Sequence, residues 1–264
     1  MRFRLNTLAQ LLAVVALAFG LKWYYSTASV DQLKWILTPT TRLVEFVNGR
    51  SFEFESRAGY MSSDHTFLIA ASCAGVNFLI TAFLMLSLAR LWRAHRSGEI
   101  LTFSGWFVVP ISAVASYVAT ILANTVRISV ALQLRESSLK ANALNADQLH
   151  RLEGIFVYFG FLLLLFVCSE NLSRTRMLAG GRRELRKKSF LPLSRYLFPM
   201  LIYYGVTLGL PLVNGAYSRG TDFWEHSLFV VITPLILIFG VEAFRFMVRS
   251  RSTDFHRLDQ GRAQ

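Results

Sequence analysis

The sequence has few charged residues and only two cysteines. Of its 264 residues, 17% are charged and 53% are hydrophobic. A soluble domain of this length carries more charge, so the composition excludes that class and indicates a multi-pass membrane protein. Cys73 and Cys168 are predicted to lie at opposite ends of their helices, too far apart to be bridged. Both are therefore expected to be free thiols, which rules out a disulfide framework.

Several cofactor motifs are also missing. The sequence contains no His-Glu-x-x-His pair, no glycine-rich phosphate loop of the Walker type and no dinucleotide fingerprint. Nothing in the sequence therefore favours metal, nucleotide or nicotinamide chemistry. We expect no cofactor and no metal.

Apolar runs of about 20 residues, the length that spans a bilayer, recur along the chain. They predict an all-α polytopic membrane bundle of about six transmembrane helices, with a small extracytoplasmic hairpin or loop before the second helix. The first run could instead be a cleaved signal peptide. The predicted divisions are a first transmembrane helix acting as signal anchor (1–25), an extracytoplasmic loop (26–65), a core of three helices (66–170), a basic cytoplasmic loop (171–195), two further helices (196–248) and a cytoplasmic tail (249–264).

The predicted extracytoplasmic loop contains two local patterns. Leu33, Trp35, Ile36 and Leu37 indicate a short amphipathic segment lying on the membrane surface and ending at Pro39. Residues 51–56 alternate phenylalanine with glutamate, which is strand periodicity, and residues 57–60 are a plausible turn. We predict a small hairpin leading into the next helix, with a packed loop as the alternative.

Basic residues cluster beside the ends of the apolar runs. Arg90, Arg93 and Arg96 follow the second run, and a long basic segment follows the fourth. With the amino terminus inside and six spans, the whole net charge of +12 falls on the inner side. Both termini are therefore predicted to be cytoplasmic. The basic segment is predicted to face anionic lipids and not nucleic acid.

This topology brings three chemically active groups to the outer face. A second span starting near Thr66 places Cys73 about 10 Å inside the membrane, with Asn77 one helical turn further on the same face. Arg127 lies near the outer end of the third span, where an ionised side chain costs roughly 2.5 to 3.5 kcal/mol and usually faces a partner or cavity. His150 lies at the outer start of the fourth span.

A thiol, an imidazole and a guanidinium at the same depth in the membrane are the groups that acyl transfer at a peptide bond requires. Cys73 is the candidate nucleophile, and His150 could take its proton and return one to the leaving amine. Arg127 could hold the developing oxyanion, with Asn124 three residues earlier on the same face. Asn77 and Ser72 are further candidates for supporting this group.

Three short segments resemble the signature motifs of the exosortase and archaeosortase family, in the same order. They are Ala71-Ser72-Cys73-Ala74-Gly75, Asn124-Thr125-Val126-Arg127-Ile128 and His150-Arg151-Leu152-Glu153-Gly154. The resemblance covers about residues 60 to 170, and the short amino-terminal part resembles the compact exosortase K type.

The resemblance implies a cysteine transpeptidase in the bacterial cytoplasmic (inner) membrane, with its active site facing outward. Such enzymes cleave exported proteins that end in a short motif, a transmembrane helix and a basic tail, and pass the new carboxyl end to an acceptor. It also implies that Cys73, Arg127 and His150 are catalytic and that Gly75 and Gly154 belong to the site. The expected partners are such membrane-anchored substrates and lipids.

Two alternatives remain open at the level of sequence. The first is an intramembrane cysteine protease that uses water in the second step. The second is a transporter or lipid-binding protein that uses Arg127 as an anion site.

Overall fold

The computed structural model describes residues 2–97, 106–138, 146–179, 194–213, 224, 227–243 and 247. This part of the chain is mostly helical. A π-helical segment, Gly205–Gly209, lies between the helices Ser194–Tyr204 and Leu210–Val213. The helices are α1 (Arg2–Thr27), α2 (Lys34–Asn48), α3 (Val76–Ser97), α4 (Val108–Ser138), α5 (Ala146–Ala179), α6 (Ser194–Tyr204), α7 (Leu210–Val213) and α8 (Ser227–Ala243).

Four helices in the described part are long and apolar enough to cross a membrane. Their candidate spans are Asn6–Thr27, Ala71–Ala94, Val108–Leu134 and Leu152–Ser173. Two shorter apolar helices, Tyr196–Gly209 and Ser227–Ala243, correspond to the predicted fifth and sixth spans. The chain is thus a helical membrane protein with four bilayer-length helices described, and the predicted total of six stays a prediction. The predicted cytoplasmic tail and most of the basic loop lie outside the described residues.

Helix α3, which corresponds to the predicted second transmembrane span, starts later than predicted. Instead of a helix from Thr66, a short strand at Leu68–Ile69 is followed by a 3-10 turn at Ala71–Ala74. Gly75 then adopts a left-handed conformation with φ of 68°, which no helix interior accommodates, and α3 begins at Val76. The prediction of one continuous helix from Thr66 was therefore wrong.

The predicted hairpin is present and has a third strand. Strands β1 (Phe52–Glu55) and β2 (Gly59–Ser62) pair antiparallel, and β3 (Leu68–Ile69) pairs antiparallel with β2. Gly59 allows this approach, because a Cβ there would lie 2.3 Å from the carbonyl oxygen of Ile69. The sheet thus leads the chain directly into the Ala71–Ala74 turn.

Helix α2 continues through Pro39, where the predicted segment was expected to end. Pro39 has no N–H to donate to the carbonyl of Trp35 four residues earlier. The hydroxyl of Tyr117 on α4 donates to that carbonyl instead, at 2.7 Å, and the two rings stack with centroids 5.8 Å apart. A tertiary contact therefore replaces the hydrogen bond that the proline removes. Further along, Asn48 donates to the Ser129 hydroxyl at 2.8 Å, so α2 runs parallel to α4.

Helix α3 is the central element of the bundle. It packs against α1, α4, α5 and α6, and 67% of its span is buried compared with 17% for α1. One buried cluster joins α1, α2, the sheet, α4 and one end of α3, and a second joins α3, α4, α5, α6 and α8. The Cys73 turn lies at the end of α3 where the first cluster is centred.

Candidate functional site around Cys73

Cys73 lies on a tight turn that is held at both ends. Its backbone N–H donates to the carbonyl of Ala70 at 2.9 Å, and Gly75 closes the turn before α3 begins. The side chain of Cys73 is half-buried and its thiol is free. The positive end of the α3 dipole therefore follows the cysteine within one turn, a position that favours a negative charge.

Asn124 of α4 anchors this turn. Its side chain is fully buried, and its Nδ2 donates a hydrogen bond to the carbonyl oxygen of Cys73. The amide packs so closely that a Cβ on Gly75 would lie 2.9 Å from Nδ2. Gly75 is thus required both by its left-handed backbone and by its contact with Asn124.

Arg127 is joined to Asn124 through Tyr158 of α5. Nη1 of Arg127 donates to the Tyr158 hydroxyl at 3.0 Å, and that hydroxyl donates to Oδ1 of Asn124 at 2.6 Å. Arg127 is partly buried and also interacts electrostatically with Cys73. Two hydrogen bonds therefore connect Arg127 to the residue that holds the Cys73 turn.

Helix α5 supplies space and charge beside Arg127. A Cβ on Gly154 would lie 3.1 Å from Nε of Arg127, so the glycine lets the guanidinium pass close to the helix. The adjacent Glu153 is buried and interacts electrostatically with Arg127. Helix α5 therefore lies directly against the guanidinium of Arg127.

The direction of α5 is defined by its contacts with α3. Tyr158 stacks on Phe78 with ring centroids 5.0 Å apart, and Glu170 forms an ion pair with Arg93. Helices α3 and α5 therefore run in the same direction, and α5 begins at the end of the bundle that holds Cys73. His150 lies on α5 one turn, or about 6 Å, before Gly154. Its side chain lies outside the described part of the structure.

Helix α1 also reaches this region. Nζ of Lys22 donates to Oδ1 of Asn77 at 2.7 Å, and the hydroxyl of Tyr25 lies 3.5 Å from the carbonyl oxygen of Ala71. The predicted first helix therefore forms a wall of the candidate site.

Two of the predicted supporting residues are placed differently from the sequence-based expectation. Asn77 does not share a helical face with Cys73, because Gly75 breaks the backbone between them, and it is exposed and bound to Lys22. Ser72 is exposed on the turn. The structure does bring together Cys73, Asn124 and Arg127, with Gly75 and Gly154 packed against the latter two.

Tyr158, Phe78, Lys22 and Tyr25 were not among the predicted site residues. The position of Tyr158 carried a usable signal, because it lies four residues after Gly154 and so on the same face of α5. Lys22 and Tyr25 carried no such signal, since only packing brings α1 to the turn. Cys168 is exposed on α5. Within the described ranges, no group of three or more His, Cys, Asp or Glu side chains could hold a metal ion.

The chain was compared with protein-family models, with curated proteins and with solved structures. None of them matches it.

Proposed function

We propose that this protein is a membrane-embedded cysteine transpeptidase of the exosortase and archaeosortase type. Cys73 is the nucleophile, Arg127 stabilises the anionic species, and His150 is the general base and acid. The substrate is an exported protein with a carboxy-terminal motif, a transmembrane helix and a basic tail. No cofactor or metal takes part in this scheme.

The observation that carries the proposal is the hydrogen-bonded connection between the first two motif segments. Asn124 binds the carbonyl of Cys73, and Tyr158 ties Asn124 to Arg127. A transporter that used Arg127 only as an anion site would have no need to anchor the cysteine turn. The third segment contributes Gly154, which contacts Arg127 one turn after His150.

The distribution of charge supports an outward-facing site. Lys22 near the end of α1 contacts Asn77 at the start of α3, so these two helices run in opposite directions. The arginines at the far end of α3, Arg90 and Arg93, therefore lie on the side of the bundle where α1 begins. Because basic residues collect on the cytoplasmic side, Cys73 belongs to the outer side of the inner membrane, with both termini inside.

The reaction proceeds in two acyl-transfer steps. His150 takes the proton of Cys73, the sulfur attacks the scissile carbonyl, and Arg127 stabilises the oxyanion. The C–N bond then breaks, His150 gives its proton to the leaving amine, and a thioester remains on Cys73. An acceptor nucleophile attacks the thioester and restores the thiol. With water as acceptor the same enzyme would be an intramembrane protease.

The proposal is tested with a tagged protein from the same genome that ends in a motif, one apolar span and a basic tail. Cys73→Ala, Arg127→Ala and His150→Ala are each expected to stop its processing in membranes, because each removes one role. Cys168→Ser is the matched control and should process normally. Full cleavage by Cys73→Ala would exclude the nucleophile assignment, and lost processing in Cys168→Ser would mean that the wrong cysteine was chosen.

The same assay separates the alternatives. Added hydroxylamine would intercept the thioester and release the substrate fragment as a hydroxamate both in a transpeptidase and in a water-using cysteine protease. Without hydroxylamine the two differ in their product, because the new carboxyl end is joined to an acceptor in the first and is free in the second. A transporter that uses Arg127 as an anion site predicts a different pattern. In that case Cys73→Ala would keep function while Arg127→Ala would lose it.

A further inference from the structure

Tyr158 links the groups around Cys73 into one chain of hydrogen bonds. Arg127 donates to its hydroxyl, the hydroxyl donates to Asn124, and Asn124 donates to the carbonyl of Cys73. The chain crosses from α4 to α5, returns to α4 and ends on the turn before α3. Every donor points from Arg127 toward Cys73.

Side-chain chemistry sets the direction of each link. A guanidinium can only donate, so the oxygen of Tyr158 accepts from Arg127 and its single proton goes to Oδ1 of Asn124. The NH2 group of Asn124 is then directed toward the carbonyl of Cys73. If the amide were reversed, its oxygen would face that carbonyl and two acceptors would oppose each other. The carbonyl of Cys73 therefore sets the amide orientation, and Tyr158 supplies the proton that Oδ1 of Asn124 then accepts.

The ring of Tyr158 is held independently of its hydroxyl. It stacks on the buried ring of Phe78 at an interplanar angle of 15°, and Cζ of Arg127 lies 5.3 Å from its centroid. Replacing Tyr158 by phenylalanine keeps these ring contacts. Only the two hydrogen bonds of the hydroxyl are lost.

We propose that Tyr158 is a positioning residue that holds Arg127 and Asn124 in the orientation required by the Cys73 turn. Its effect on turnover rests on the transpeptidase function proposed above, whereas its effect on the environment of Cys73 does not. Charge on Arg127 polarises the whole chain, so losing the central hydroxyl weakens the links on both sides.

The kinetic test uses Tyr158→Phe. Its kcat is expected to fall roughly 10- to 100-fold with KM unchanged, because the reacting groups are displaced and no substrate contact is lost. Tyr60→Phe is the control: it removes a hydroxyl of the hairpin that lies 2.6 Å from the hydroxyl of Thr38 on α2, and it should keep wild-type kcat. A wild-type kcat for Tyr158→Phe would overturn the proposal.

A double-mutant cycle distinguishes a chain from two separate contacts. If Tyr158 acts through Asn124, then Tyr158→Phe combined with Asn124→Ala should lose little more activity than the worse single variant. Losses that multiply would mean that the two residues act independently, which would also overturn the proposal.

A third measurement does not depend on enzyme activity. Iodoacetamide alkylates the thiolate of Cys73, and its rate can be measured in a Cys168→Ser background. Displacement of Arg127 should slow alkylation in Tyr158→Phe by roughly threefold or more. An unchanged rate would overturn the positioning role. A changed rate in a protein that never processes substrate would overturn the transpeptidase function and leave the positioning role standing.

Discussion

At the scale of single residues, the site depends on close contacts between backbone and side chain. The Asn124 amide is fixed at both ends, by Tyr158 and by the Cys73 carbonyl, so it cannot move aside for a larger neighbour. The residue that faces it, Gly75, has no side chain. The turn that carries Cys73 is therefore constrained by packing.

Two glycines provide a matched pair for testing this constraint. Gly49 and Gly75 have nearly the same left-handed φ, 66° and 68°, but a Cβ on Gly49 would meet nothing within 4 Å. Replacing either by alanine should cost about 1–2 kcal/mol of stability from the backbone conformation. Gly75→Ala should in addition lower substrate processing by roughly 10-fold or more, because it displaces Asn124.

Thermal unfolding in detergent and the processing assay together check this prediction. A larger loss of stability in Gly75→Ala than in Gly49→Ala, with processing lost only in Gly75→Ala, is the expected result, because only the Cβ at position 75 meets Asn124. Normal processing by Gly75→Ala would show that the contact with Asn124 does not matter for function.

At the scale of secondary structure, the loop from β2 to β3 is organised by one carboxylate. Oδ1 of Asp64 accepts hydrogen bonds from the hydroxyls of Ser62 at 2.6 Å and Thr66 at 2.8 Å. The pKa of Asp64 is lowered to about 2, mainly by Ser62, then by the side chain and backbone of Thr66, with a smaller contribution from Arg50. The ionised carboxylate is thus the form that holds this loop.

The lowered pKa predicts how the loop responds to acid. Because the folded-state pKa lies below the unfolded value of 3.8, the stabilisation is present above about pH 4 and is lost as the pH falls through about 2. Hydrogen exchange at the amides of Thr66 and Phe67 should therefore lose protection across this range.

Asp64→Asn is the control for this acid response. Its loop should be less protected at neutral pH, and its protection should not change between pH 4 and 2. The same acid dependence in Asp64→Asn would show that another group titrates.

At the scale of the whole molecule, α3 connects the end of the bundle that holds Cys73 to the opposite end. Tyr158 stacks on Phe78 near Cys73, and four turns further along the ion pair of Arg93 with Glu170 joins the same two helices. The side chains of the pair are only 19% and 25% exposed, so solvent screens it less than a surface pair.

Charge reversal tests the contribution of this pair to assembly of the bundle. Arg93→Glu should lower the free energy of unfolding by about 1–3 kcal/mol, because two carboxylates then face each other in a partly buried place. The double variant Arg93→Glu with Glu170→Arg should recover at least half of that loss in thermal unfolding. A double variant as unstable as the sum of its singles would mean that the pair contributes nothing. Alkylation of Cys73 should not change in either variant.

Local properties of the sequence determined the class of the protein and its candidate residues. The length and apolarity of a run decide whether it can cross a bilayer, and four such helices are described. The cost of a cation in an apolar run singled out Arg127 without knowledge of its neighbours. The alternation of phenylalanine and glutamate likewise predicted the hairpin.

The tertiary structure decided what depends on residues far apart in the chain. Helix α2 continues through Pro39, and Tyr117 on another helix donates to the carbonyl that the proline leaves open. Cys73 lies on a turn and not on a helix because Gly75 packs against Asn124, about fifty residues later in the chain. Tyr158 gained its place in the same way, from the packing of α5 against α3 and α4. Such contacts have no local pattern, since the free energy that selects them comes from elements that meet only after the bundle has formed.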